Sequence, residues 1–230
     1  MPYNSTITFT LDTICPWTYL AYLRFSRSLS EYTSSHPPDD PNTRATFTLQ
    51  FAPYQLYPDA SQDGEDKYKW YLKEKYNNDA SLMDKYTAYM TALGKAEGVE
   101  FDFGGTMANT LHAHRAVMCV QEEKGAEAGR RCVESLYTQY FTQKAHPSAP
   151  STLLTACRAA GLDEEDAKTL VEDESEGLVD VKAKIREQAG NGVDSVPYVV
   201  FEGRRRDFTM VGAKEVGEYL KVLEQVGKEA

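Results

Sequence analysis

The sequence predicts an α/β fold, a four-stranded mixed sheet flanked by helices, and three observations carry that prediction. Residues 6–11 alternate apolar Ile7, Phe9 and Leu11 with Thr6, Thr8 and Thr10, the period of two that turns one strand face to a core. A helical pattern follows from Pro16, and residues 46–52 read as a second strand, so the two strands run parallel in a β-α-β unit. Far downstream, Pro197 opens a strand over residues 198–201, and a turn at Glu202-Gly203 joins it to another over 206–211.

The first helix is expected from Pro16 to about Tyr32, with Tyr19, Leu20, Leu23 and Phe25 as apolar positions. Residues 34–42, SSHPPDDPN, form a polar, proline-rich connector. From about residue 65 to residue 190 no strand pattern appears. One long helix is expected over residues 66–94, rich in tyrosine at helical spacing, which favours packing over a ligand cage. Gly104-Gly105 is a break, and helices follow over residues 106–123 and 127–143. Ser151 caps a short helix, Gly161-Leu162-Asp163 stops it and caps the next to about Glu172, and a further helix spans 177–189. Gly212 is expected to start a terminal helix whose apolar side is Val216, Leu220, Leu223 and Val226.

At 230 residues the chain can bury a substantial core in one or two domains. A net charge of −10 argues against nucleic acid as a partner. No apolar run approaches the roughly 18 residues of a membrane span, and residues 1–5 lead almost directly into the first strand, so the expected location is the cytoplasm. Four cysteines without the pattern of a small secreted domain fit a reducing compartment. No metal site is expected: there is no Cys-x-x-Cys and no His-Glu-x-x-His, and His112 and His114 point to different helix faces. Cys119, Cys132 and Cys157 lie in helical patterns and read as buried thiols.

The chemistry concentrates at Cys15. Pro16 suits a first helical position, which places Cys15 at the helix N-terminus, beside free amides and the positive end of the dipole. Such a setting lowers a cysteine pKa below its free value of about 8.5. A depressed pKa is therefore expected, as is a hydrogen bond from the Thr18 hydroxyl, one turn on, to the thiolate. A lone cysteine near a helix start is more often a small buried hydrophobe. The strand, the turn, Cys-Pro and the Val196-Pro197 signal together outweigh that reading.

These features resemble the thioredoxin superfamily in its DsbA-like branch, and within it the FrnE-like group of thiol oxidoreductases or isomerases. The residues that carry the likeness are Asp12-Thr13-Ile14-Cys15-Pro16-Trp17, the run at 51–58, Asn109-Thr110-Leu111-His112-Ala113-His114-Arg115, and the loop from Gly192 to Pro197. The resemblance covers nearly the whole chain. It implies a thioredoxin-like domain from residues 1–64 and 177–230, with a helical insertion at 65–176 packed over the active face. It also implies a cis Val196-Pro197 bond lying against Cys15. Cys15 and Thr18 are then the catalytic positions. Pro16, Trp17, Val196, Pro197, Asn109 and Gly212 are the candidates to line a substrate or glutathione site. Asn109 is read as a cleft wall, though capping and packing is at least as good a role for it. Glutathione is the implied cofactor, a small thiol or aromatic compound the implied substrate, and a homodimer the implied assembly.

One departure matters. Thr18 stands where most of the group has a second cysteine, the thiol that would attack the mixed disulfide and release product. Monothiol exchange linked to glutathione is therefore the first expectation. Kappa-class glutathione transferases and 2-hydroxychromene-2-carboxylate isomerases resemble the chain too, and place serine where it has Cys15. A glutathione-dependent transferase or isomerase of an aromatic molecule is the alternative. A non-catalytic thioredoxin-like binding module is a third, and it predicts an unreactive Cys15.

Overall fold

The computed structural model describes residues 2–230. β1 (Tyr3–Leu11) and β2 (Ala45–Pro53) pair in parallel, joined by α1 (Pro16–Ser35), as the crossover requires. β5 (Tyr198–Phe201) pairs antiparallel with β1, and β6 (Phe208–Val211) antiparallel with β5. The order β2-β1-β5-β6 is a mixed four-stranded sheet, with β1 central. β1 carries Ile7, Phe9 and Leu11 into the core, and the Phe9 ring meets Tyr22, Phe25 and Phe51 at centroid distances of 6.0 to 6.2 Å. α9 (Val216–Glu229) packs on α1, closed at its start by a reciprocal capping box between Glu215 and Glu218.

Between β2 and β5 lie α2 (Lys67–Tyr76), α3 (Ala80–Ala96), α4 (Leu111–Lys124), α5 (Ala126–Thr142), α6 (Pro150–Ala160), α7 (Glu164–Glu172) and α8 (Leu178–Gly190). Three expectations are corrected here. The single helix over 66–94 is two, because Asn77 and Asn78 adopt positive φ (52° and 65°) and Asp79 caps the next helix through the Leu82 amide. The strand-free middle holds a two-residue ladder, β3 (Glu65–Asp66) with β4 (Thr106–Met107), too short to leave a period. Gly212 does not open the last helix. At φ 81° it turns the chain after β6, and its amide donates to the Pro197 carbonyl at 2.9 Å.

The helical block meets the sheet layer through aromatic packing. Tyr19, one turn past Cys15, stacks on Tyr137 at 4.6 Å and packs against Phe141 and Phe101. Arg24 on α1 pairs with Glu97, just past α3, and with Glu215 at the start of α9, while Arg27 takes the other Glu97 oxygen.

Lys67 is buried inside the helical block. Its ammonium donates to the carbonyls of Asp102 (3.1 Å) and Tyr140 (3.3 Å) and sits 4.0 Å from the Tyr140 ring centre. Burial pushes its pKa down from 10.5 to about 8, Asp102 partly opposing. The unfolded chain therefore holds this proton more tightly than the native one between those values, so stability attributable to Lys67 rises as pH climbs through that window. Urea unfolding of Lys67→Met should show this rise missing. The gap between wild type and variant should move in favour of wild type by about 1 kcal/mol or more from neutral to alkaline pH.

Candidate functional site around Cys15

Cys15 is the N-cap of α1 with an extended backbone (φ −86°, ψ 115°), and Pro16 occupies the first helical position. The Cys15 amide donates to the Asp12 carbonyl at 3.1 Å, which closes the turn between β1 and α1. The Val196-Pro197 bond is cis, and the Cys15 thiol points at the Val196 carbonyl at 4.0 Å. The cysteine loop and the proline loop thus come together at the same end of the sheet. Gly212 is tied to the proline loop through its bond to Pro197. Trp17 is half-buried and faces Tyr89 of α3, whose ring centre lies 6.3 Å away. Tyr57 stands beside Trp70 at 4.5 Å, with the Lys75 ammonium over its face at 4.6 Å.

The expected low pKa of Cys15 is corrected by the tertiary setting. Cys15 is only 5% exposed, and burial pushes its thiol up to about 11, with the Asp12 charge adding to the rise. The Thr18 and Trp17 amides and the Thr18 hydroxyl pull the other way and lose. Desolvation of a thiolate outweighs one helix terminus when no side-chain cap bond forms, and none does here.

Thr18 is fully buried, and its hydroxyl lies 2.8 Å from the Asp12 carbonyl and 2.7 Å from the Cys15 carbonyl, which compete with the thiol for its one proton. Asn109 is likewise committed. Its side chain donates to the Pro58 carbonyl and accepts from Gln55 and from the Leu111 amide, which braces the loop after β2 and the start of α4. These bonds fit the capping and packing role expected for it.

Two residues beyond the candidate set belong to the site. Asp12, whose second carboxylate oxygen accepts the Leu56 amide at 2.7 Å, lies 3.4 Å from His114 of α4, both side chains buried. Both residues sit inside runs that the sequence singles out, but nothing local says that they meet. Cys132 and Cys157 are buried and Cys119 is half-buried, all unpaired. Among the described residues no cluster of three or more metal-ligating side chains occurs. Nor is any helix among them long and apolar enough to cross a membrane.

A family model described as the DSBA-like thioredoxin domain matches residues 6–224. The chain belongs to this family. The fold agrees: a probable DsbA oxidoreductase from Streptomyces coelicolor superposes with a TM-score of 0.81 at 21% identity, over 98% of this chain and 91% of that one. A 2-hydroxychromene-2-carboxylate isomerase gives 0.64 at 16% identity, over 96% and 93%. The cytosolic disulfide reductase DsbM of Pseudomonas aeruginosa gives 0.61 at 11% identity, over 97% and 95%, and has also been solved with GSH. No curated protein sequence matches the chain. This DsbA-like domain therefore has one thiol at the helix start where the cis-proline loop meets it, and a threonine one turn on.

Proposed function

We propose that this DsbA-like protein is a monothiol oxidoreductase of the FrnE-like kind, exchanging disulfides through Cys15 with glutathione as the small-thiol partner. The observation that carries this reading is Cys15 at a helix start, against the Val196 carbonyl, with Thr18 in the position that a second thiol would need. Attack by the Cys15 sulfur on a disulfide leaves a mixed disulfide, which Thr18 cannot resolve, so a free thiol from solution must release it. The high pKa of the buried thiol makes it slow at rest and places a demand on substrate binding to stabilise the thiolate. Trp17, Tyr57, Trp70 and Tyr89 offer the apolar surface that such binding would use. A cytoplasmic location fits this reading, in keeping with the cytosolic DsbM neighbour.

A second reading is supported by the protonation state. A thiol held at about 11 is an S–H donor at neutral pH, and could donate a hydrogen bond to a bound glutathione thiolate in a transferase or isomerase of an aromatic molecule. Intact mass spectrometry after incubation with oxidised glutathione separates the two. We expect one glutathione adduct per chain, on Cys15, removed by dithiothreitol and absent from Cys15→Ser. Glutathione bound non-covalently, equally well by wild type and Cys15→Ser and without adduct, would reject the exchange reading.

A further inference from the structure

Three cysteines lie outside the Cys15 site, and two of them meet. Cys132 belongs to the buried side of α5 with Ala128 and Leu136, and Cys157 to that of α6 with Leu153 and Ala160. The two helices pack on each other, and both cysteines are fully buried. Their thiols share a hydrogen bond, and neither is in a disulfide. Packing alone asks only for two small hydrophobes at these positions. Sulfur against sulfur adds a chemistry that alanine or valine would not.

A buried cation acts on the pair. Arg115 of α4 is 0% exposed, donates through Nη1 to the carbonyls of Asp173 and Glu176 at 3.0 Å each, and leaves Nε without a partner. Its charge favours the thiolates of Cys157 and Cys119. The Cys132 S–H and the Arg115 charge together hold Cys157 below the ordinary thiol value against burial, while Cys132 is pushed well up. One sulfur is therefore the nucleophile, and its neighbour keeps a proton to give.

Cys119 marks the way in. It stands one turn after Arg115, is half-buried, and feels the charge of Cys157. It lines a cleft of about 550 Å³ whose charged walls are Glu122, Glu123, Asp166, Glu176 and Asp180, with no lysine or arginine among the lining residues. Of the five carboxylates only Glu123 is ion-paired, with Lys124. Gly177, at φ 67°, lies against the Cys119 sulfur, where a Cβ would collide. A cleft of one sign repels an anion such as oxidised glutathione and leaves a small neutral molecule free to enter.

We propose that Cys132 and Cys157 form a second oxidation site, closed to an α5–α6 disulfide by a small neutral hydroperoxide such as hydrogen peroxide. The Cys157 thiolate attacks one peroxide oxygen. An S–O bond forms, the O–O bond breaks, and the departing hydroxide takes the proton that Cys157 released, giving water and a sulfenic acid. The Cys132 sulfur then attacks the Cys157 sulfur. An S–S bond forms, the S–O bond breaks, and the leaving hydroxide carries off the Cys132 proton as a second water. Two thiols are oxidised by two electrons, and one peroxide is reduced to two waters. Neither step uses Cys15, so this site stands apart from the exchange reading above.

The test uses the reduced, folded Cys15→Ser protein, treated with hydrogen peroxide, alkylated in denaturant and digested without reductant. We expect an intact mass lower by about 2 Da before alkylation, a peptide containing Cys132 joined to one containing Cys157, free Cys119, and full reversal by dithiothreitol. Oxidised glutathione at the same concentration should close the pair at least about tenfold more slowly. In Cys132→Ser, the Cys157 sulfenic acid should persist and be trapped by dimedone. Three free thiols after peroxide, a link through Cys119, or two oxygens added to one thiol without any link would each overturn the proposal. Closure by oxidised glutathione as fast as by peroxide would overturn the choice of oxidant. The first of these readings needs no core variant that might misfold.

Discussion

Thr18→Cys should convert a monothiol protein into a dithiol one. The variant is expected to form an internal 15–18 disulfide and to gain glutathione-independent exchange on a model protein disulfide, at least about tenfold above wild type. Residues 15 and 18 are the N-cap and third position of α1, on one side of the first turn, close enough for their side chains to approach. Thr18 is fully buried, and cysteine replaces it without added bulk. What is lost is the hydroxyl bond to the Asp12 or Cys15 carbonyl, about 1 kcal/mol. The fold should therefore survive, which circular dichroism would check. A wild type that already matches the variant without glutathione would mean that another cysteine resolves the intermediate. Cys119 would then be the first suspect, because Cys132 and Cys157 are buried while it is half-buried. Absence of any 15–18 disulfide in an oxidised, folded variant would count against the positioning of Thr18 as a resolving site.

Tyr19→Ala should be the most damaging single truncation that touches neither Cys15 nor the proline loop. Tyr19 lies one turn after the cysteine and is 6% exposed. Its ring stacks on Tyr137 and Phe141 of α5 and tilts against Phe101. Truncation removes an aromatic ring from the seam between the sheet layer and the helical block, where rigid neighbours cannot close the gap. A loss of about 3–5 kcal/mol is expected from urea unfolding. Tyr19→Phe keeps the ring, and should stay within about 1 kcal/mol of wild type. A loss below about 1 kcal/mol in Tyr19→Ala would show that the seam repacks, or that it contributes little to stability.

Much of the fold was legible because it rests on periodicity. The alternation in β1, the proline that opens β5 and the helical spacing after Pro16 each record which face meets a core, and a core makes the same demand all along an element. The misses fall where no period exists. A two-residue ladder at Glu65–Asp66 leaves no pattern, and the break at Asn77-Asn78 was a turn signal swamped by the tyrosine spacing on both sides. Helix boundaries moved for the same reason. α9 starts at Val216 because Glu215 and Glu218 cap it, a local exchange of bonds that outranks the glycine upstream.

At the site, the sequence by itself determined that Cys15 stands at a helix start, that Pro197 opens a strand, and that no second thiol follows Cys15. These depend on residues adjacent in the chain. Only the tertiary structure decided how the thiol behaves. Cys15 is 5% exposed, and that burial, with the Asp12 charge adding to it, reverses the pKa direction that the helix terminus alone would set. The same holds for the Thr18 hydroxyl, contested by two carbonyls, and for His114, which meets Asp12 across about a hundred residues of intervening chain. A helix dipole acts within its own first turn, whereas desolvation sums over every element that folds over the atom. Chain neighbours therefore set the position of the thiol, and chain-distant ones set its chemistry.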